Sequence, residues 1–193
     1  MKVGILTFFR LANFGANLQG YSTYKYLENN GYQPIFIDWE PIDFYCDKVE
    51  KAIKNPHGKE HFDFVDTFCE KTRRCITDED ICAVIEKEKI DAIIVGSDAT
   101  LQHHPFFDRI VFPTKKFISY NAHPNSTVMF PNPFWGSFYK ELKKKIPIVI
   151  MSACSQDSKF FYIWGREKAR MKDALSQFSY ISVRDDWSKK MVK

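Results

Sequence analysis

The 193-residue sequence lacks any cysteine pair at CxxC spacing. Its five cysteines (Cys46, Cys69, Cys75, Cys82, Cys154) are odd in number and scattered. A zinc site draws on closely spaced ligand pairs, so no metal centre is expected. The thiols read as reduced ones in a cytosolic protein, where the Asn125-Ser126-Thr127 sequon carries no glycosylation meaning. Charge of one sign is also scarce. With 28 basic against 24 acidic side chains and a net charge of +4, the chain has no footprint of a nucleic-acid binder, whose basic residues cluster to neutralise phosphates. The runs Lys115–Lys116 and Lys143–Lys145 read as solvated surface. No stretch approaches the roughly 20 apolar residues of a membrane span. The opening Met-Lys-Val-Gly-Ile-Leu-Thr is a short apolar strand, without the apolar core of a signal peptide. A complete GxGxxG is missing, so a dinucleotide is not supported.

What is present is ordinary globular material: 45% hydrophobic and 27% charged residues, enough to build one packed domain. Aromatics reach 16%, with 18 Phe. They fit an aromatic-rich core, or rings that line a ligand cleft. Val3–Thr7 is a compact apolar run and predicts a buried strand. A loop with the turn residues Asn13 and Gly15 follows, then a helix over Asn17–Asn30 with Leu18, Tyr21, Tyr24 or Lys25, and Leu27 on its inner stripe and Gly31 at its cap. Pro34–Asp38 is a second strand ending in an acid, which completes a βαβ unit. Further strands are predicted at Ala92–Val95, Ile148–Met151 and Tyr180–Val183, with short strands near Arg109–Phe112 and Lys116–Tyr120. Helices are predicted at His61–Lys71, Thr77–Lys89, Trp135–Lys145, Arg166–Gln177 and from Asp185 onward, while residues 41–60, with Pro41, Pro56 and Gly58, give no clear pattern. Alternating strands and helices imply an α/β, Rossmann-like fold: a mainly parallel sheet with helices on both faces. Ligands then sit beyond the carboxyl ends of the strands. That rule selects Phe8–Gln19, Asp38–Pro41, Gly96–His104, Ser152–Ser158 and Arg184–Asp186.

Three blocks in these segments resemble the polysaccharide pyruvyl transferases. The first is Gly4-Ile5-Leu6-Thr7 with Asn13-Phe14-Gly15-Ala16-Asn17-Leu18-Gln19, then Tyr26-Leu27, Gly31 and Ile37-Asp38; the second is Ile94-Val95-Gly96-Ser97-Asp98; the third is Ile181-Ser182-Val183-Arg184-Asp185. The resemblance implies a GT-B-like architecture, two Rossmann-like domains facing across a cleft. It also implies transfer of the enolpyruvyl unit of phosphoenolpyruvate to two sugar hydroxyls, as a ketal, in building a surface polysaccharide or exopolysaccharide. Residues 1–193 then form the single N-terminal, acceptor-side domain, and a C-terminal domain or partner chain is expected to complete the enzyme, the isolated chain being inactive and prone to self-association. Two departures stand out: Ala99-Thr100-Leu101 replaces the family's usual Gln-x-Trp after Gly-Ser-Asp, and residues 102–133 diverge. Both point to a side subfamily with a different acceptor, or to a lost activity.

Ketal formation needs a proton on the methylene carbon of phosphoenolpyruvate, a base for the attacking hydroxyl, and cations or helix amides for phosphate and carboxylate. No cofactor is required beyond phosphoenolpyruvate as co-substrate, and no metal. Asp98 is the candidate base or acceptor-hydroxyl ligand, with a loop-stabilising Asp as the alternative. His103 or His104 is the candidate acid or base, at most one of the adjacent pair facing the cleft, with a surface loop histidine as the alternative, and His123 rests on no motif. Asn13, Gly15 and Gln19 are candidates for substrate binding at a helix start, or for shaping that turn. Ser97 and Ser155, with Ser152 and Gln156, are candidates for sugar hydroxyls. Arg184 is a candidate for phosphate or carboxylate, or a partner of Asp185, Asp186 or Glu167. Cys154 has no recognisable activating base. The expected partner is a sugar or lipid-linked oligosaccharide acceptor, the expected setting the cytoplasm or the inner face of its membrane. A nucleotide-sugar glycosyltransferase domain and a non-catalytic binding module are the competing readings.

Overall fold

Five short apolar runs pair side by side to form the centre of the molecule. The computed structural model describes residues 1–114, 117–120 and 124–193, the side chains of 111–114 and 117–120 excepted. Strands β1 (Lys2–Leu6), β2 (Gln33–Phe36), β3 (Ala92–Val95), β6 (Ile148–Ala153) and β7 (Tyr180–Val183) form one parallel sheet in the order β2-β1-β3-β6-β7. The chain is therefore α/β and Rossmann-like. Strands β4 (Ile110–Thr114) and β5 (Phe117–Tyr120) pair antiparallel as a separate hairpin. Strand order reverses at β1: β2 lies to one side and β3 to the other. That switch point leaves a crevice at the carboxyl ends of β1 and β3, where open α/β sheets take their ligands.

Alternation along β1 splits the core. Val3 and Ile5 face helices α1 (Phe14–Asn29) and α4 (Pro56–Phe68), while Leu6 faces α5 (Asp78–Glu88) and α6 (Gly165–Leu175). Helix α1 lies with Ala16, Gly20, Tyr24 and Leu27 inward, and Leu18, expected on the inner stripe, is exposed. The small Ala16 and Gly20 let the helix approach closely: a Cβ on Gly20 would stand 3.4 Å from the Phe36 ring, itself stacked on Phe9 at 4.4 Å. Helix α5 opens on the expected cap. Thr77 Oγ1 accepts from the Asp80 amide at 3.3 Å, and Asp80 Oδ2 accepts from the Thr77 amide at 3.3 Å.

One expected element is corrected. The helix predicted over Trp135–Lys145 is instead a pair of 3₁₀ turns, Pro133–Trp135 and Ser137–Glu141. Gly136 breaks the path with φ +72° and Leu142 is already extended, while Trp135 and Phe138 are buried as core side chains. Conversely, most of residues 42–68 is helical: α2 (Ile42–Phe44), a π turn over Tyr45–Val49, α3 (Glu50–Ile53) and α4. Pro41 caps α2 and Pro56 opens α4, positions where the missing N–H costs nothing. The histidine noted at 123 lies outside the described residues, as do Lys115 and Lys116.

One backbone position ties the sheet to the crevice. Gly96, directly after β3, has φ +102°, and a Cβ there would stand 2.5 Å from the Met151 carbonyl. Gly96→Ala is expected to cost about 2 kcal/mol or more in urea-unfolding stability. A loss below about 0.5 kcal/mol would show that the crevice backbone can relax around the methyl.

Candidate functional site

Four strands deliver their carboxyl ends to the switch point, and the backbone there is cross-bonded. Thr7 Oγ1 donates to the Ser97 carbonyl at 2.7 Å, the Gly96 amide to Leu6 O at 3.0 Å, the Cys154 amide to Asp98 O at 2.9 Å, and the Arg184 amide to Ala153 O at 2.9 Å. Asp98 is thus held between the exits of β1 and β6. It adopts φ +89°, its side chain is half-buried, and among the described residues its carboxylate has no hydrogen-bond or ion-pair partner. Arg10 and Gln156, beyond the carboxyl ends of β1 and β6, also have positive φ, at 53° and 46°, as does Ser152 at 50°, at the irregularity near the end of β6. Non-glycine residues in this region of φ cost energy, and they concentrate where a site needs a particular side-chain direction.

The residues singled out in the sequence lie along this edge and differ in how free they are. Asn13 Oδ1 accepts from the Ala16 amide at 3.2 Å, so it serves as the cap of α1. Gly15 sits in the exposed first turn, with only Asn13 Oδ1, at 3.4 Å, near the position of an added Cβ. Gln19 donates to Thr23 Oγ1 at 3.3 Å, and its buried Oε1 has no partner. Ser97 is buried. Ser155 is buried against α7 (Asp186–Val192): its amide donates to Ser188 Oγ at 2.8 Å and the two hydroxyls lie 3.1 Å apart. Arg184 is exposed and its Nη2 donates to Cys154 Sγ at 2.9 Å. It forms no ion pair with Asp185, Asp186 or Glu167 among the described residues; Asp185 instead caps α7 by accepting from the Ser188 amide.

His103 is 0% exposed, and both ring nitrogens are engaged. Nδ1 accepts from the Phe130 amide at 3.1 Å, which places the proton on Nε2, 3.0 Å from Glu167 Oε1. Burial pushes its pKa down, against the pull of Glu167. The ring offers no free nitrogen to a substrate in this arrangement; it ties the loop after β3 to α6. His104 is half-buried and lies 2.7 Å from Asp108, which also pairs with Lys159 at 2.7 Å.

A charge cluster at the exits of β1 and β2 escaped the sequence reading, although both segments were selected. Arg10 Nη1 lies 3.4 Å from Asp38 and 3.3 Å from Glu40, and its Nε lies 3.0 Å from Asp66. Lys71 approaches Asp38 at 3.8 Å and Asp66 at 3.5 Å, and Arg74 approaches Glu40 at 3.7 Å while covering the Tyr45 ring at 3.9 Å. Asp38 is only 2% and Glu40 5% exposed. Burial, reinforced by Asp38, pushes the Glu40 carboxyl up to about 7, and burial also raises Asp38. The only local signal was an acid ending β2; its partners come from residues 10, 66, 71 and 74, too distant in sequence for spacing to reveal.

All five cysteines are free, and burial holds the thiols of Cys69, Cys75 and Cys82 up at about 11. Among the described residues no group of three or more His, Cys, Asp or Glu side chains is placed to hold a metal ion, and no helix is long and apolar enough to cross a membrane. A family model described as polysaccharide pyruvyl transferase matches residues 13–193. Neither curated proteins nor solved structures include a match.

Proposed function

The chain belongs to the polysaccharide pyruvyl transferase family, and on that premise we propose that it serves pyruvyl transfer from phosphoenolpyruvate to a sugar diol. Residues 1–193 act as the acceptor-side domain, and a second domain or partner chain closes the cleft. The methylene carbon of phosphoenolpyruvate gains a proton and C2 becomes oxocarbenium-like. One sugar hydroxyl adds to C2; a second displaces phosphate as the C2–O bond to phosphorus breaks. Of the two hydroxyl protons, one balances that gained by the methyl group and the other leaves with phosphate.

Asp98 receives the acceptor hydroxyl and takes its proton. The observation that carries this reading is the free, half-exposed Asp98 carboxylate at the switch point, on a backbone bonded to both neighbouring strands. An unpaired carboxylate in that position has capacity for a sugar hydroxyl. Arg184 and the first-turn amides around Gly15 supply positive potential for the donor's phosphate and carboxylate. His103 acts by positioning, since both its nitrogens are spent. The acceptor is a lipid-linked oligosaccharide precursor met at the cytoplasmic membrane face.

The test is phosphate release from phosphoenolpyruvate with galactosyl, mannosyl and glucosyl acceptors, with the second domain or partner chain present, alongside thermal unfolding of the 193-residue chain with each donor. Phosphoenolpyruvate at ten times its Kd is expected to stabilise the fold by about 1.4 kcal/mol. Stabilisation by a nucleotide sugar, with none from phosphoenolpyruvate, would assign the crevice to glycosyl transfer instead.

A further inference from the structure

The end of the chain opposite β2 carries a surface that the transfer chemistry does not use. Between α6 and α7 runs an apolar groove of about 160 Å³, floored in part by Met171, Leu175 and Met191. Its rim carries Lys168, Lys172, Lys190 and Lys193, all exposed. Among the described residues none of the four has a carboxylate within ion-pair distance, whereas Lys140 and Lys143 nearby are paired with Asp173 and Glu86. The turn Phe160–Tyr162 borders the same groove. Phe160 and Ile163 line it, while Phe161 at 58% and Trp164 at 65% exposure stand out into solvent.

Charge follows the same partition. Residues 159–193 hold nine basic and four acidic side chains, while residues 1–158 hold 19 and 20. The positive excess of the whole chain therefore comes from this segment. Exposed aromatic rings beside unpaired lysines are complementary to a bilayer surface: Trp and Phe enter at headgroup level, and lysines meet lipid phosphate. A protein partner fits less well. All four rim cations are Lys, a residue depleted in protein interfaces and suited to phosphate as a point charge.

We propose that the α6–α7 face, together with the Phe161–Trp164 turn, docks the protein on a membrane surface containing anionic phospholipids. The inference rests on the proposed function only for its purpose, which is to hold the enzyme beside a lipid-linked acceptor. The binding itself needs neither donor nor acceptor.

The experiment is co-sedimentation of the protein with vesicles of phosphatidylcholine alone, or of phosphatidylcholine with about 30% phosphatidylglycerol. Partition onto the anionic vesicles is expected to exceed that onto neutral ones by about tenfold or more, and to collapse near 0.5 M salt. Lys168→Glu with Lys172→Glu should lower anionic partition by about tenfold or more. Phe161→Ala with Trp164→Ala should lower it several-fold, and unchanged circular dichroism would show both variants folded. Equal partition onto both vesicle types, no partition onto either, or full retention by the charge-reversed variant would each overturn the proposal. Vesicle binding without phosphate release, when the second domain or partner chain is present, would sink the transferase reading and leave this one standing; release without vesicle binding would do the reverse.

Discussion

In the enzyme completed by its second domain or partner chain, Asp98→Asn is expected to lower pyruvyl transfer by about 10²–10⁴-fold, the range over which a positioned general base contributes, while Tm stays within about 2 °C of the parent protein. The two halves of that expectation have separate grounds. Function suffers because the amide can still accept a hydroxyl's hydrogen bond but cannot carry away its proton. Stability holds because the Asp98 side chain makes no contact that the fold depends on: its backbone carbonyl, not its carboxylate, bonds to Cys154. Asn also accepts a positive φ nearly as well as Asp. The loss should fall on kcat, with the KM for acceptor changed little. His103→Ala supplies the contrast. It strips the Phe130 amide and Glu167 of their partner in a buried site, so its first effect is on stability, by about 1–3 kcal/mol. Turnover by Asp98→Asn within threefold of the parent would remove Asp98 from the chemistry and shift attention to the exposed Arg184 and to Ser152.

Legibility in the sequence followed the range of the interactions. The five sheet strands were readable because each is a short run dominated by apolar and β-branched residues, fully buried from Val3 to Leu6 in the central β1 and only partly covered in the edge strand β7. The α5 cap was readable because Thr77 and Asp80 are three residues apart. Errors arose where tertiary packing decides. Residues 41–60 gave no clear pattern, and there Pro41 and Pro56 each start a helix. Trp135 and Phe138 carry a helical spacing, but Gly136 at φ +72° turns the chain so that both rings enter the core from 3₁₀ turns. Around the candidate site, the end-of-strand rule selected segments without resolving the side chains within them. Asn13 and Ser155 follow strands as expected, but their polar groups are spent on Ala16 and Ser188. Arg10 gave no local signal at all, since its three acidic partners lie 28, 30 and 56 residues away.

That buried cluster makes stability depend on pH. Glu40 has its folded pKa pushed from 4.5 up to about 7, by burial first and by Asp38 second, with Arg10, Arg74 and Lys71 opposing; Asp38 is raised as well, with Asp66 adding to the repulsion. A carboxyl raised in this way holds its proton more tightly when folded than when unfolded. Its contribution to stability is therefore present in full below about pH 4.5 and is lost as pH rises through about 7. The parent protein should lose stability between pH 5 and pH 8, by up to about 3 kcal/mol from Glu40. Glu40→Gln abolishes that titration. Its Tm is expected to match the parent's near pH 5 and to exceed it by about 5 °C or more at pH 8. Arg10→Ala should act in the opposite sense. It leaves Asp38 and Glu40 buried with only Lys71 and Arg74 nearby, at a cost of about 3–5 kcal/mol at pH 8. The cost should shrink at pH 5, where the Glu40 carboxyl can take up a proton, and Glu40→Gln in the same chain should recover part of it at pH 8. Calorimetry of the three variants at pH 5, 6, 7 and 8 checks the scheme. If Glu40→Gln destabilised equally at pH 5 and pH 8, Glu40 would be a net stabilising ion-pair partner, and the desolvation of this cluster would not be what limits the fold.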